Sequence, residues 1–168
     1  MNRLHGSALI IGYGNPGRLD DGLGPALAEA IDRADVPNVT VESCYQLAIE
    51  HAELASRHDV VIFADACVEA DGNEPFSFRA LQPKIGASFS THSVDPAVVL
   101  GLAHNLFGSG VAGYVLAISG YEFDDFGEVL SANACENLNA ATRFLKSLLP
   151  EATCEVWYEK RQTRDPLC

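Results

Sequence analysis

Three residues have the types and placement to do chemistry together: Asp21, Asp65 and His92. Asp21 is the second acid of an Asp20–Asp21 pair in a glycine-rich loop, Asp65 ends an apolar run, and His92 lies in a loop before a helical pattern. Two carboxylates and one imidazole, supplied by separate loops with coordination positions left over, suit a divalent transition metal. Ligands gathered from distant parts of a chain leave no local spacing pattern, so each residue also has a plainer reading. Asp20 and Asp21 fit a solvated loop pair, Asp65 a turn or helix-cap residue, and His92 a polar cap of the helix that follows it.

The elements that must position them follow in order. Ala8–Ile11 is an apolar run that reads as a buried strand. The loop after it carries Asn15 and the acid pair, and Gly24 and Pro25 close it, since proline suits the first turn of a helix. Leu27, Ile31 and Ala34 then recur at helical spacing. Val39–Cys44 reads as a strand at a sheet edge, and Leu47–His58 as a helix. The continuous apolar run Val60–Ala64 is typical of a central parallel strand, and Asp65 terminates it. Phe76–Leu81 is a short strand with no room for a helix before it, hence antiparallel to the rest. Asp95 and Pro96 start a helix through Phe107, with Val98, Val99, Leu102 and Leu106 facing the core. Tyr114–Ser119 is the last strand, and Ser131 caps a helix from Ala132 to about Leu149. Alternating strands and helices give an α/β fold with an open, mostly parallel sheet covered on both faces. In such sheets ligands gather at the carboxyl edge, where Asp21, Asp65 and His92 all fall.

At 168 residues the chain is one domain, residues 1–150, followed by a tail of 151–168 that loses periodicity. The net charge of −12 argues against nucleic acid or an anionic membrane as partner and suits a cation or a basic peptide. No stretch is long and apolar enough to span a membrane, and MNRLHGSALIIGYG lacks the apolar core and cleavage site of a secretory signal, so a cytoplasmic protein is expected. Cys44, Cys67, Cys135, Cys154 and Cys168 are odd in number and form no C-x-x-C, which fits reduced thiols. Cys67 reads as a small buried thiol and His104, among apolar helix residues, as a structural histidine. The acids Glu122, Asp124, Asp125 and Glu128 read as a solvated face.

Two rival readings use the same residues. Gly12, Gly14 and Gly17 match the G-x-G-x-x-G fingerprint of dinucleotide-binding proteins, with Glu42 as the ribose-binding acid. That motif needs the helix to open at the glycines, whereas Pro16, Asp20, Gly22, Gly24 and Pro25 postpone it, and two carboxylates would sit beside the phosphates. A non-enzymatic acid-pocket metal-binding signalling module would also place acids after the first and third strands. That chemistry wants a lysine after the last strand, and ISGYEFDDF has none. There is no H-E-x-x-H, no G-x-S-x-G and no convincing nucleophile–base pair.

The loop GYGNPGRLDDGLGP resembles that of the nickel–iron hydrogenase maturation endopeptidases, which carry a G-x-G-N loop leading to an Asp–Asp or Asp–Glu pair and a glycine. The likeness continues through VVIFADA, STHSVDPAVVLGLA and FGEVLSANA, from about Leu9 to Leu149. CYQLAIEHAELA looks like the version serving soluble, bidirectional-type hydrogenases. The resemblance implies a three-layer αβα sandwich of the phosphorylase/hydrolase-like type, with a five-stranded sheet and one antiparallel strand. It implies a metal site of Asp21, Asp65 and His92, serving as the catalytic residues. The implied task is removal of the C-terminal extension from the hydrogenase large-subunit precursor, by a monomer that needs no organic cofactor and recognises nickel presented by that precursor. ACVEADGNEP after Asp65 departs from the glycine-rich version common elsewhere, and Asp21 replaces the Glu of some members, a shorter reach to the same metal.

Overall fold

The computed structural model describes residues 6–68, 73–86 and 94–151. His92 and the tail beyond 151 lie outside them. Among the described residues the strands and α-helices follow in order: β1 (Ala8–Tyr13), α1 (Leu23–Arg33), β2 (Val39–Cys44), α2 (His51–Ser56), β3 (Val60–Cys67), β4 (Phe76–Leu81), α3 (Pro96–Phe107), β5 (Ala112–Ser119) and α4 (Ala132–Leu148). The five strands form one sheet in the order β2-β1-β3-β5-β4. All neighbours are parallel except β4, which runs antiparallel to β5.

Strand alternation builds the three layers. Ala8 and Ile10 of β1, with Val60, Ile62 and Ala64 of β3, bury against Leu23, Leu27 and Ile31 of α1 and Ala134, Ala141 and Leu145 of α4. Leu9, Ile11, Val61 and Phe63 point to the opposite face, under Ala52 and Ala55 of α2 and Val99, Leu100 and Ala103 of α3. Both central strands are thus apolar on two sides, which is why their sequences are runs rather than alternations. At the β4 edge Phe78 stacks on Tyr114 with centroids 5.1 Å apart, and Phe144 of α4 packs on both Phe76 and Phe78.

Several local expectations shift. The helix expected over Leu47–His58 spans His51–Ser56. The turn before it is closed by a side chain: Ala48 N–H donates to His51 Nδ1 at 2.8 Å, which sets a later start than the apolar spacing suggests. Leu106 is exposed, and Leu100 and Ala103 take the buried face of α3 instead. α3 and α4 begin where their caps predict, Asp95 accepting from Ala97 N–H at 2.8 Å and Ser131 Oγ from Ala134 N–H at 3.3 Å. No helix among the described residues is long and apolar enough to cross a membrane.

One feature of the topology positions the site. From β1 the chain crosses to β2 on one side, while β3 lies on the other, so a crevice opens between the carboxyl ends of β1 and β3. β1 pairs with β3 as far as Gly12↔Ala64, but β3 continues alongside β5 to Cys67↔Ser119. Asp65 therefore lies within the strand rather than ending it, at the position where β1 falls away.

Candidate active site

The loop from β1 to α1 is built by close backbone contacts. A Cβ on Gly12 would lie 2.2 Å from the Gly24 carbonyl oxygen, so the glycine lets α1 press directly on the strand. Gly14 has φ +141°, and a Cβ there would meet the Asp21 carbonyl oxygen at 2.1 Å. The space that a dinucleotide-binding loop leaves for pyrophosphate is filled here by the chain's own backbone. The helix also starts at Leu23, after a 3-10 turn over Leu19–Gly22. The glycine fingerprint serves internal packing.

Asn15 shapes the same loop. Its Oδ1 accepts from Gly17 N–H at 2.9 Å, and its own N–H donates to Asp21 Oδ2 at 2.8 Å. The Asp21 carboxylate is thereby turned back toward the loop over the crevice, and it remains partly exposed.

Asp20 behaves in the opposite way. It has no exposed surface. Its Oδ2 accepts from the N–H groups of Tyr121 (2.8 Å) and Glu122 (3.0 Å) and from Ser131 Oγ (2.7 Å), and its Oδ1 from Ser131 N–H (2.8 Å). Burial pushes this carboxyl up, but the three amides and the hydroxyl outweigh it and hold it below the usual carboxylate range. Asp20 fastens the loop after β1 to the segment between β5 and α4, a job that the solvated-pair reading misses. The stitching extends to Leu19 N–H, which donates to the Gly127 carbonyl at 2.8 Å, and Gly127 N–H, which donates to that of Gly17 at 2.9 Å.

Asp65 Oδ1 accepts from Ala66 N–H at 2.8 Å, and the Tyr13 phenol on the neighbouring strand favours the ionised carboxyl. Burial raises its pKa to about 6, and the negative charge of Asp21 adds to the rise against the opposing effect of these two groups. The Tyr13 phenol is itself pushed well above its ordinary value, by burial first and then by the Asp65 charge, so it stays protonated. The sequence reading passed over Tyr13, although its place beside Asp65 follows from extending the Gly12↔Ala64 register by one residue.

The Asp21 charge acts on Asp65 at the carboxyl edge of the sheet. The third expected residue, His92, is outside the described residues, and among those described no group of three His, Cys, Asp or Glu could hold a metal ion. Asp95, three residues further on at the start of α3, is close enough to act on the Tyr13 phenol, so the chain re-enters at this edge. Two carboxylates that repel one another, one of them partly buried, fit a divalent cation as counter-charge, with a further donor needed to complete it. Beside the loop runs a groove of about 560 Å³, lined by Pro16, Leu19, Pro25, Val41 and Leu130 with Glu29, Asp32 and Glu128 among them. His104 is structural, its Nε2 lying 2.7 Å from the Val111 carbonyl oxygen, and Glu122, Asp124 and Asp125 are exposed. Cys67 is half-buried at the end of β3.

No protein-family model matches this chain, and no curated protein matches its sequence. Solved structures do share its fold. The NiFe hydrogenase maturation protease HycI from Thermococcus kodakarensis KOD1 superposes with a TM-score of 0.65 at 22% identity, over 88% of this chain and 94% of that one. The hydrogenase 2 maturation peptidase from Thaumarchaeota archaeon SCGC_AB-539-E09 gives 0.63 at 18% identity, over 85% and 97%. The hydrogenase maturating endopeptidase HybD from E. coli gives 0.61 at 18% identity, over 87% and 93%. The expected three-layer architecture with one antiparallel strand is the architecture these proteins share with it.

Proposed function

We propose that this protein is a hydrogenase maturation endopeptidase, removing the C-terminal extension of a nickel–iron hydrogenase large-subunit precursor after nickel insertion. The observation that carries the reading is the Asp21–Asp65 pair: two carboxylates from separate elements, the charge of one acting on the other, at the switch point of a fold shared with hydrogenase maturation proteases. Asp21, Asp65 and His92 bind the nickel carried by the precursor, and the nickel is what the enzyme recognises. A cation so placed can polarise a scissile carbonyl or lower the pKa of bound water. The groove beside the Asp21 loop supports the reading by offering an apolar, acid-edged bed for a peptide next to the site. The protein acts as a monomer in the cytoplasm and uses no organic cofactor, and its charge of −12 keeps it from nucleic acid and anionic membranes.

The test is incubation with nickel-loaded and nickel-free precursor, reading the mass of the large subunit. Wild-type protein should shorten the loaded precursor alone, and Asp21→Asn, Asp65→Asn and His92→Ala should each abolish the mass loss. Equal cleavage of nickel-free precursor would refute nickel as the recognition signal. No cleavage of either precursor by wild-type protein would refute the assignment as a whole.

A further inference from the structure

We propose that the free edge of β2 is the docking edge for the precursor's peptide, which adds to the sheet as a further strand and turns cationic side chains toward the acid-edged groove. The inference rests on the reading of the protein as an endopeptidase and deepens it, naming where and how an extended substrate chain is held.

β2 is the outermost strand on its side of the sheet, and its register with β1 decides which of its backbone groups are spare. Ala8 N–H donates to the Asn38 carbonyl at 3.0 Å, and Gly14 N–H to that of Cys44 at 3.1 Å. Bonding residues alternate along a parallel ladder, so Thr40 and Glu42 also face β1, while Val41 and Ser43 turn their N–H and C=O groups outward. No described residue pairs with those outward groups. Of the devices that ordinarily blunt an exposed edge, β2 has no proline, no lysine and no bulge in its pairing with β1.

The same two residues line the groove beside the Asp21 loop, so a strand bonded to Val41 and Ser43 would send alternate side chains into it. The groove then selects the peptide. Its Glu29 is paired with Arg33, but Asp32 and Glu128 have no ion-pair partner among the described residues. Unpaired acids at the rim of an apolar bed suit an extended chain in which cationic side chains flank apolar ones, and the net charge of −12 draws the same partner from solution. The charges work against a second copy of this chain as the occupant, because pairing two β2 edges would bring the acids of both copies together.

The experiment uses the full-length chain and the nickel-loaded precursor. Ser43→Pro deletes one outward N–H at an exposed edge position, where proline is tolerated. It should raise KM for cleavage about 2–10-fold, the loss of one net hydrogen bond, and leave kcat unchanged. Asp32→Lys with Glu128→Lys should raise KM more at low salt than at high salt. Glu136→Lys, the same charge change exposed on α4 outside the groove, should leave KM as it is. In wild type, addition of nickel-free precursor should slow hydrogen exchange at the Val41 and Ser43 amides. Unchanged KM in Ser43→Pro and in the double charge reversal, with cleavage intact, would refute the docking edge and leave the endopeptidase reading standing. Unchanged exchange at the two amides would refute it even if Ser43→Pro failed to fold. Protection that appears without precursor and grows with protein concentration would give the edge to a second copy and overturn the proposal. No cleavage of the nickel-loaded precursor by wild type would overturn the endopeptidase reading, and this inference with it.

Discussion

Replacing Asp65 with Asn should stabilise the metal-free protein at neutral pH while removing its proposed activity. The charge at this position is a burden on the fold. A carboxyl whose midpoint sits at about 6 in the folded chain, against 3.8 for the ordinary group, binds its proton more tightly when folded. At about 1.4 kcal/mol per tenfold change in proton affinity, the ionised form costs the native state up to ~3 kcal/mol at pH 7. Asn keeps the shape and can accept from Ala66 N–H, so the substitution removes the charge and little else. The sign fixes the pH window. Below about pH 4 the carboxyl is protonated in folded and unfolded chains alike, and the two proteins should differ little. Between pH 4 and 6 the unfolded carboxyl ionises while the folded one keeps its proton, so wild-type stability falls relative to the variant as pH rises. By pH 7 the variant should lead by roughly 1–3 kcal/mol, a rise in Tm of several degrees for a chain of this size. Denaturant unfolding at pH 4 and pH 7 measures the difference with all other titrating groups cancelling. A variant destabilised equally at both pH values would refute the argument that desolvation and the Asp21 charge burden this site.

Further substitutions separate structural from chemical roles. Asp20→Asn places an amide N–H₂ against at least one of the donors that Asp20 accepts from, and should cost about 3–5 kcal/mol in denaturant unfolding. Because this carboxyl is held below its ordinary value, its contribution is present above pH 3.8 and lost as pH falls through the folded pKa; wild type should therefore lose its margin over Asp20→Asn in acid. Gly14→Ala should lose about 1–3 kcal/mol or more, and should weaken Ni²⁺ binding with it, because the added methyl meets the Asp21 carbonyl; normal stability and binding would show the contact to be dispensable. Titration with NADH and NADPH should give no heat, and saturable binding would reinstate the dinucleotide reading.

Much of the fold was legible because its elements are locally consistent. The apolar runs at Ala8–Ile11 and Val60–Ala64 read as a buried and a central strand, and Asp95-Pro96 and Ser131 announced helix starts that the side-chain caps bear out. β4 was recognisable as antiparallel because the eight residues between β3 and β4 cannot contain a crossover helix. What failed were details that spacing does not encode. His51 closes the turn before its own helix with a ring nitrogen, which no periodicity encodes. Leu106 has the right spacing for the core of α3, but the helix reaches its C-cap at Gly108 just beyond it, and the residue is exposed.

The acid pair shows why the site was harder to read than the fold. Asp20 and Asp21 are neighbours of one type, and composition cannot distinguish them. The turn separates them: with Leu19 held at φ 51° and its N–H given to Gly127, Asp20 faces inward to four donors while Asp21 stays over the crevice. One carboxylate is stabilised by hydrogen bonds and locks the loop; the other helps to raise the pKa of a third, Asp65. A fold that satisfies one acid so completely leaves the charge of Asp21 acting on a burdened Asp65. If these two acids hold the proposed cation, Asp65→Asn should gain stability and lose Ni²⁺ affinity together: the substitution that relieves the buried charge removes the reason for a metal to bind it.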